Sequence, residues 1–150
     1  MSEIDAKKIE AQLSNEMIAV VEDFNNLVIS LIETVSIIAP GSMVGVNKKL
    51  ILKEAGRPSN KYIMIKVFVA RVLDYKKQID NEEEEFFLKK KVSGKDVENN
   101  QMAMDGIFEF REIWPTLRAE NKATLFQHMQ YLCALAQEFF LYVDEHKIKI

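Results

Sequence analysis

WPTLRAENKATLFQHMQYLCALAQEFFLYV, residues 114–143, decides the fold. Leu125, Met129, Leu132, Ala136, Phe139 and Val143 recur at alternating steps of four and three, while Gln127, His128, Gln137 and Glu138 fill the other faces. That spacing is the seam of a helix packed against another helix. Pro115, with Thr116 or Asn121 behind it, is placed to open the helix, since proline suits a first turn and a polar side chain can accept from its free N–H groups. Cys133 lies beside the seam, directly after Leu132, with no charged neighbour to favour its thiolate; a buried, inert thiol is expected.

Working outward, Ile9, Leu13, Met17, Val20, Phe24, Leu27 and Leu31 repeat at three-four spacing and predict one long first helix, from Ser2 or Asp5 to Ala39. Pro40 and Gly41 stop it. Ser42 is the expected cap of a shorter second helix reaching Glu54, ended by Gly56 and Pro58. A third helix is predicted from Ser59 or Asn60, carrying Ile65, Phe68, Val72, Tyr75 and Ile79 on one face. Residues 80–100, with the run Glu82 to Glu85 and then Lys89 to Lys91, read as a mobile acidic and basic connector, and residues 92–100 as its most mobile part. Residues 101–113 resume an apolar pattern that predicts a short helix. The expected architecture is all-α: one domain spanning residues 1–150, a bundle of five to seven helices whose long first and last members form the central pair.

At 150 residues, 48% hydrophobic and 29% charged, the chain has the make-up of one globular domain. Its formal charge of −3 offers no global positive potential for nonspecific nucleic-acid binding. A lone cysteine forms no internal disulfide and no multi-cysteine zinc site, and it fits an intracellular setting. The first ten residues, MSEIDAKKIE, carry charges where a signal peptide has an apolar core. Residues 34–46 are uncharged but short and broken by Pro40, Gly41 and Gly45, so no transmembrane segment is predicted; a buried helical hairpin accounts for them, with contact at a membrane surface as the alternative.

Patterns that carry chemistry are few. Gly94-Lys95 lacks the upstream glycine of a phosphate loop, and the four glutamates lack the alternating oxygen ligands and mid-loop glycine of a calcium loop. His128 has no carboxylate four residues away with which to build a helical metal site, and both histidines read as surface residues. Glu33 falls off the apolar seam and is expected on an exposed face. No catalytic, cofactor-binding or metal-binding set is therefore predicted, and no cofactor. Val28, Ile29, Ile32 and Val35 lie partly off the first seam, and Phe126 and Phe140 partly off the last. These six are the candidate interaction surface for a protein partner or a second copy, a homodimer being the simplest form. The alternative function is that of a nucleic-acid-associated factor, with Lys48, Lys49, Lys53, Arg57 and Lys61 as the candidate phosphate contacts.

Phe24 with Leu27 and Leu31, the break at Ala39-Pro40-Gly41-Ser42, Phe68 with Tyr75 and Ile79, and acidic residues before Phe86-Phe87 form a spaced order along the chain. With Trp114-Pro115-x-Leu117, Asn121-Lys122, Leu125-Phe126, Gln130, Leu132 and Leu135-Ala136, this order resembles short, uncharacterised all-helical proteins of nucleocytoplasmic large DNA viruses. Residues 110–143 carry most of the likeness; where those proteins have an aromatic pair around the glutamine, this chain has His128-Met129-Gln130-Tyr131. The resemblance implies no activity. It implies a viral factor, in the host cytoplasm or the virion, and together with the residue patterns it predicts a non-enzymatic protein-protein interaction protein, either a structural component or a regulatory adaptor.

Overall fold

Ser14 starts the longest N-terminal helix. Its backbone is extended (φ −69°, ψ 160°) and its Oγ accepts from the Met17 N–H at 3.1 Å, one of the donors a helix start leaves unpaired. A computed structural model of the chain, describing residues 3–89 and 106–150, therefore divides the predicted first helix into α1, Glu3–Ala11, and α2, Asn15–Ile38. The seam runs through the break because Ile9, Leu13 and Met17 all remain buried. Tyr142, near the other end of the chain, accepts from the Ser14 N–H at 3.2 Å and fixes this corner.

After the Pro40-Gly41 turn come α3, Met43–Val46, α4, Lys48–Ala55, α5, Ile63–Arg71, α6, Lys76–Asp80, α7, Glu85–Lys89, and α8, Ala119–Glu145. Single 3₁₀ turns at Pro58–Asn60, Leu73–Tyr75, Gly106–Phe108 and Trp114–Thr116 join or precede them. Ser42 caps α3 as expected, accepting from the Gly45 N–H at 3.1 Å, but Asn47 then divides the predicted second helix. The predicted third helix is likewise interrupted, at Val72 (φ −120°, ψ −37°). Among the described residues, counting α3 with α4 and α5 with α6, the bundle has six substantial helices and no strand. Pro115 opens only the turn Trp114–Thr116; α8 begins after Arg118, whose side chain makes no capping bond.

The central pair is α2 against α8, so the chain's second helix takes the place predicted for its first. Ser14 meets Tyr142 while Ser30 meets His128, so the two helices run antiparallel. One core unites the bundle: Phe24, Val28, Leu31, Ile32 and Val35 from α2 share it with Leu125, Met129, Leu132, Cys133 and Ala136 from α8 and with Tyr62 to Ile65 and Phe68. Aromatic rings join the shorter elements to this core. Phe68 stands edge-on to both Phe24 and Phe108, at 5.5 and 5.1 Å, and Phe87 stacks on Trp114 at 4.2 Å with Phe126 edge-on to both.

Those contacts take part of the expected connector into the bundle. Residues 81–85 are exposed, but Phe86 and Phe87 are buried and bring α7 into the core. Glu84 leaves the exposed run to accept from Trp114 Nε1 at 3.1 Å and to pair with Lys122 at 3.0 Å. The mobile segment expected at residues 92–100, and the first five residues of the helix expected at 101–113, lie outside the described residues; the remaining eight form no α-helix but a 3₁₀ turn, Gly106–Phe108, followed by irregular chain and a turn, with Ile107, Phe108 and Phe110 buried.

Candidate interaction surface

Burial redraws the surface expected from the apolar stripes. Val28, Ile32, Val35 and Phe126 are buried in the core, and Ile29 is half-buried. Of the six candidates only Phe140, 43% exposed, stands at the surface. The stripes exist, but α2 and Phe126 meet more neighbours than a two-helix seam supplies: α3, α4 and α5 also pack on α2, and Phe87 and Trp114 close over Phe126.

Phe140 forms one lip of an apolar groove of about 230 Å³ between α5 and α8. Val69 and Ala70 line it from α5, Phe139 and Val143 from α8, Ile150 closes one side, and Lys66 is its charged lining residue. Leu141, next along α8, is exposed as well.

A second exposed apolar surface lies at the opposite end of the α2–α8 pair, where α2 runs out into α3 and α4. Ile37 is 79% exposed, Val46 71%, Leu50 55% and Met43 46%. Val46 and Leu50 line one shallow depression together with Lys48 and Lys49. Met43 is anchored, its methyl group resting against Gly106.

The five basic candidates do not act as a set. Lys61 is half-buried and committed to Glu10 at 2.6 Å, with Glu22 at 4.0 Å, and Arg57 pairs with Glu54 at 3.2 Å. Lys48, Lys49 and Lys53 remain together on α4. Beside Lys61, the buried Tyr62 phenol is pushed up to about 12, first by burial and then by the charges of Glu10 and Glu22, so it stays protonated and serves as no base near neutral pH.

His128 is half-buried and lies between the central helices. Its Nδ1 is 2.9 Å from the Thr124 carbonyl, which can only accept, so Nδ1 carries the proton and Nε2 accepts from Ser30 Oγ at 3.3 Å. A serine donating to a histidine has the outline of a nucleophile and base, but Ser30 sits within α2, where each surrounding N–H already donates to the carbonyl four residues back. Those helix N–H groups are therefore not free to meet an oxyanion, and the pair ties α2 to α8. Sequence patterns could not find it: the partners are 98 positions apart and each is ordinary in its own helix.

Glu33 is exposed and Cys133 is buried, as expected, and burial pushes the Cys133 thiol up to about 12. Among the described residues no group of three or more His, Cys, Asp or Glu is placed to hold a metal ion, and no helix is long and apolar enough to cross a membrane. No family model, characterised protein or solved structure matches this chain.

Proposed function

We propose that the chain is a non-enzymatic interaction protein that docks a second copy of itself, or another protein, in the groove between α5 and α8. The observation that carries this reading is Phe140, a large aromatic side chain held at the lip of an apolar groove on a rigid helix. Aromatic side chains in such places dominate binding energy because burying them removes much apolar surface from water at little cost in conformational freedom. A knob beside a groove is also self-complementary, so a two-fold axis through this face satisfies both copies at once. The resemblance of residues 110–143 to helical proteins of large DNA viruses supports a viral structural or regulatory adaptor, in the host cytoplasm or the virion.

Light scattering over about two decades of concentration tests this reading. The expected result is a mass that rises with concentration in the wild type and stays monomeric in Phe140→Glu, with equal melting temperatures at dilutions where the wild type is itself monomeric. Phe126 is unsuitable for this purpose, since a charge there falls inside the aromatic core. A monomer at every concentration, together with recovery of the same partners by wild type and Phe140→Glu, would refute docking through the groove.

A further inference from the structure

We propose that the end of the bundle formed by Ile37, α3 and α4 rests on the surface of an anionic phospholipid bilayer. This surface is distinct from the Phe140 groove, and the inference stands without it. Four of the large side chains that remain exposed, Ile37, Met43, Val46 and Leu50, gather in this one region of the chain, where α3 and α4 pack beside the end of α2. Between Glu33 and Glu54 there is no Asp or Glu, and the charged residues are Lys48, Lys49 and Lys53. None of these three lysines pairs with a carboxylate among the described residues, unlike Arg57 and Lys61 nearby.

Apolar side chains standing in water beside lysines that no carboxylate among the described residues pairs with are complementary to a surface that offers acyl chains and phosphates together. A bilayer carrying anionic lipids offers both: Ile37, Val46 and Leu50 enter the boundary between headgroups and acyl chains, and the lysines stay at the phosphates. A nucleic-acid duplex matches only the lysines and would leave the apolar residues against a charged backbone. The local fold holds the contact in shape. The Ser42 cap and the Gly45 backbone packed against the Ala39 and Pro40 carbonyls make the α2–α3 turn tight, so the apolar side chains are presented by a fixed corner. No spanning helix is involved; the contact is peripheral, and with few apolar side chains it depends on lipid charge.

Co-sedimentation of the full chain with vesicles tests the inference, comparing phosphatidylcholine alone with phosphatidylcholine containing about 30 mol% phosphatidylserine. Binding is expected to the anionic vesicles, weakening as salt is raised. Lys49→Gln and Lys53→Gln should each lower the partition coefficient about fivefold. The combined Ile37→Asn, Val46→Asn and Leu50→Asn variant should lose binding while keeping its helical circular dichroism, and the control Gln137→Ala, on the exposed face of α8, should bind like the wild type. Absence of sedimentation, equal binding to uncharged vesicles, or indifference to the lysine and asparagine substitutions would overturn the proposal. So would salt-sensitive affinity for duplex DNA from a chain that ignores the vesicles.

Discussion

Replacing Leu132 by alanine probes the helix seam at its centre. Leu132 is fully buried, and its seam neighbours Met129 and Ala136 are fully buried too, so the space it leaves opens into the core and not to solvent. Removing three carbons at about 0.8 kcal/mol each gives ~2.4 kcal/mol for lost transfer from water. A void that the surrounding helices fail to fill adds up to ~2.5 kcal/mol, so the expected cost is ~2–5 kcal/mol. For a chain of this length each kcal/mol lowers the melting temperature by about 2–4 °C, and the variant should melt roughly 5–20 °C below the wild type. Gln137, exposed on the opposite face of α8, provides the control: its replacement by alanine should cost less than ~0.5 kcal/mol. Trp114, the single tryptophan and itself fully buried, reports unfolding through its fluorescence. Similar melting temperatures for Leu132→Ala and Gln137→Ala would refute the reasoning, because the seam would then contribute no more than the solvent face.

Gly45→Ala should lower stability by ~1–3 kcal/mol in denaturant titration, since its Cβ would sit 2.6 Å from the Pro40 carbonyl oxygen and 2.8 Å from that of Ala39, both backbone atoms of one tight turn. Gly41→Ala, with nothing near its Cβ, should be neutral, and equal losses at the two positions would contradict the packing described. Glu84 is held below the usual carboxylate range by its hydrogen bond from Lys122, then by that from Trp114 and the Lys122 charge. Its contribution to stability is accordingly present above the unfolded-state pKa and lost as pH falls through the lower folded-state value; Glu84→Gln should remove that part of the acid transition followed by Trp114 fluorescence. Cys133 should resist thiol reagents at pH near 8 until the protein unfolds, because burial, then the charge of Asp80, keeps it protonated; rapid labelling of the native chain would show that α8 is not packed as described.

Helical periodicity and helix breakers are local properties, and the sequence determined what depends on them: an all-α bundle, the α8 seam, the stop at Pro40-Gly41, the Ser42 cap and the end near Gly56. Periodicity survives a break that keeps the same face inward, which is why the division of α1 from α2 at Ser14 was not legible: Ile9, Leu13 and Met17 stay on the seam across the three non-helical residues 12–14. Only the tertiary structure decided which apolar residues remain in water. A stripe on one helix is a statement about one face, whereas its burial depends on how many other elements reach it. Val28, Ile32, Val35 and Phe126 are covered by neighbours distant in sequence, Phe86 and Phe87 are drawn out of a charged run by Trp114 and Phe126, and Phe140, Ile37, Val46 and Leu50 are left exposed. The lysines are sorted in the same way: Lys61 faces Glu10 across the fold, while no carboxylate among the described residues reaches those of α4. Contact between residues far apart along the chain is set by the packing of whole helices, and no single stretch of sequence carries it.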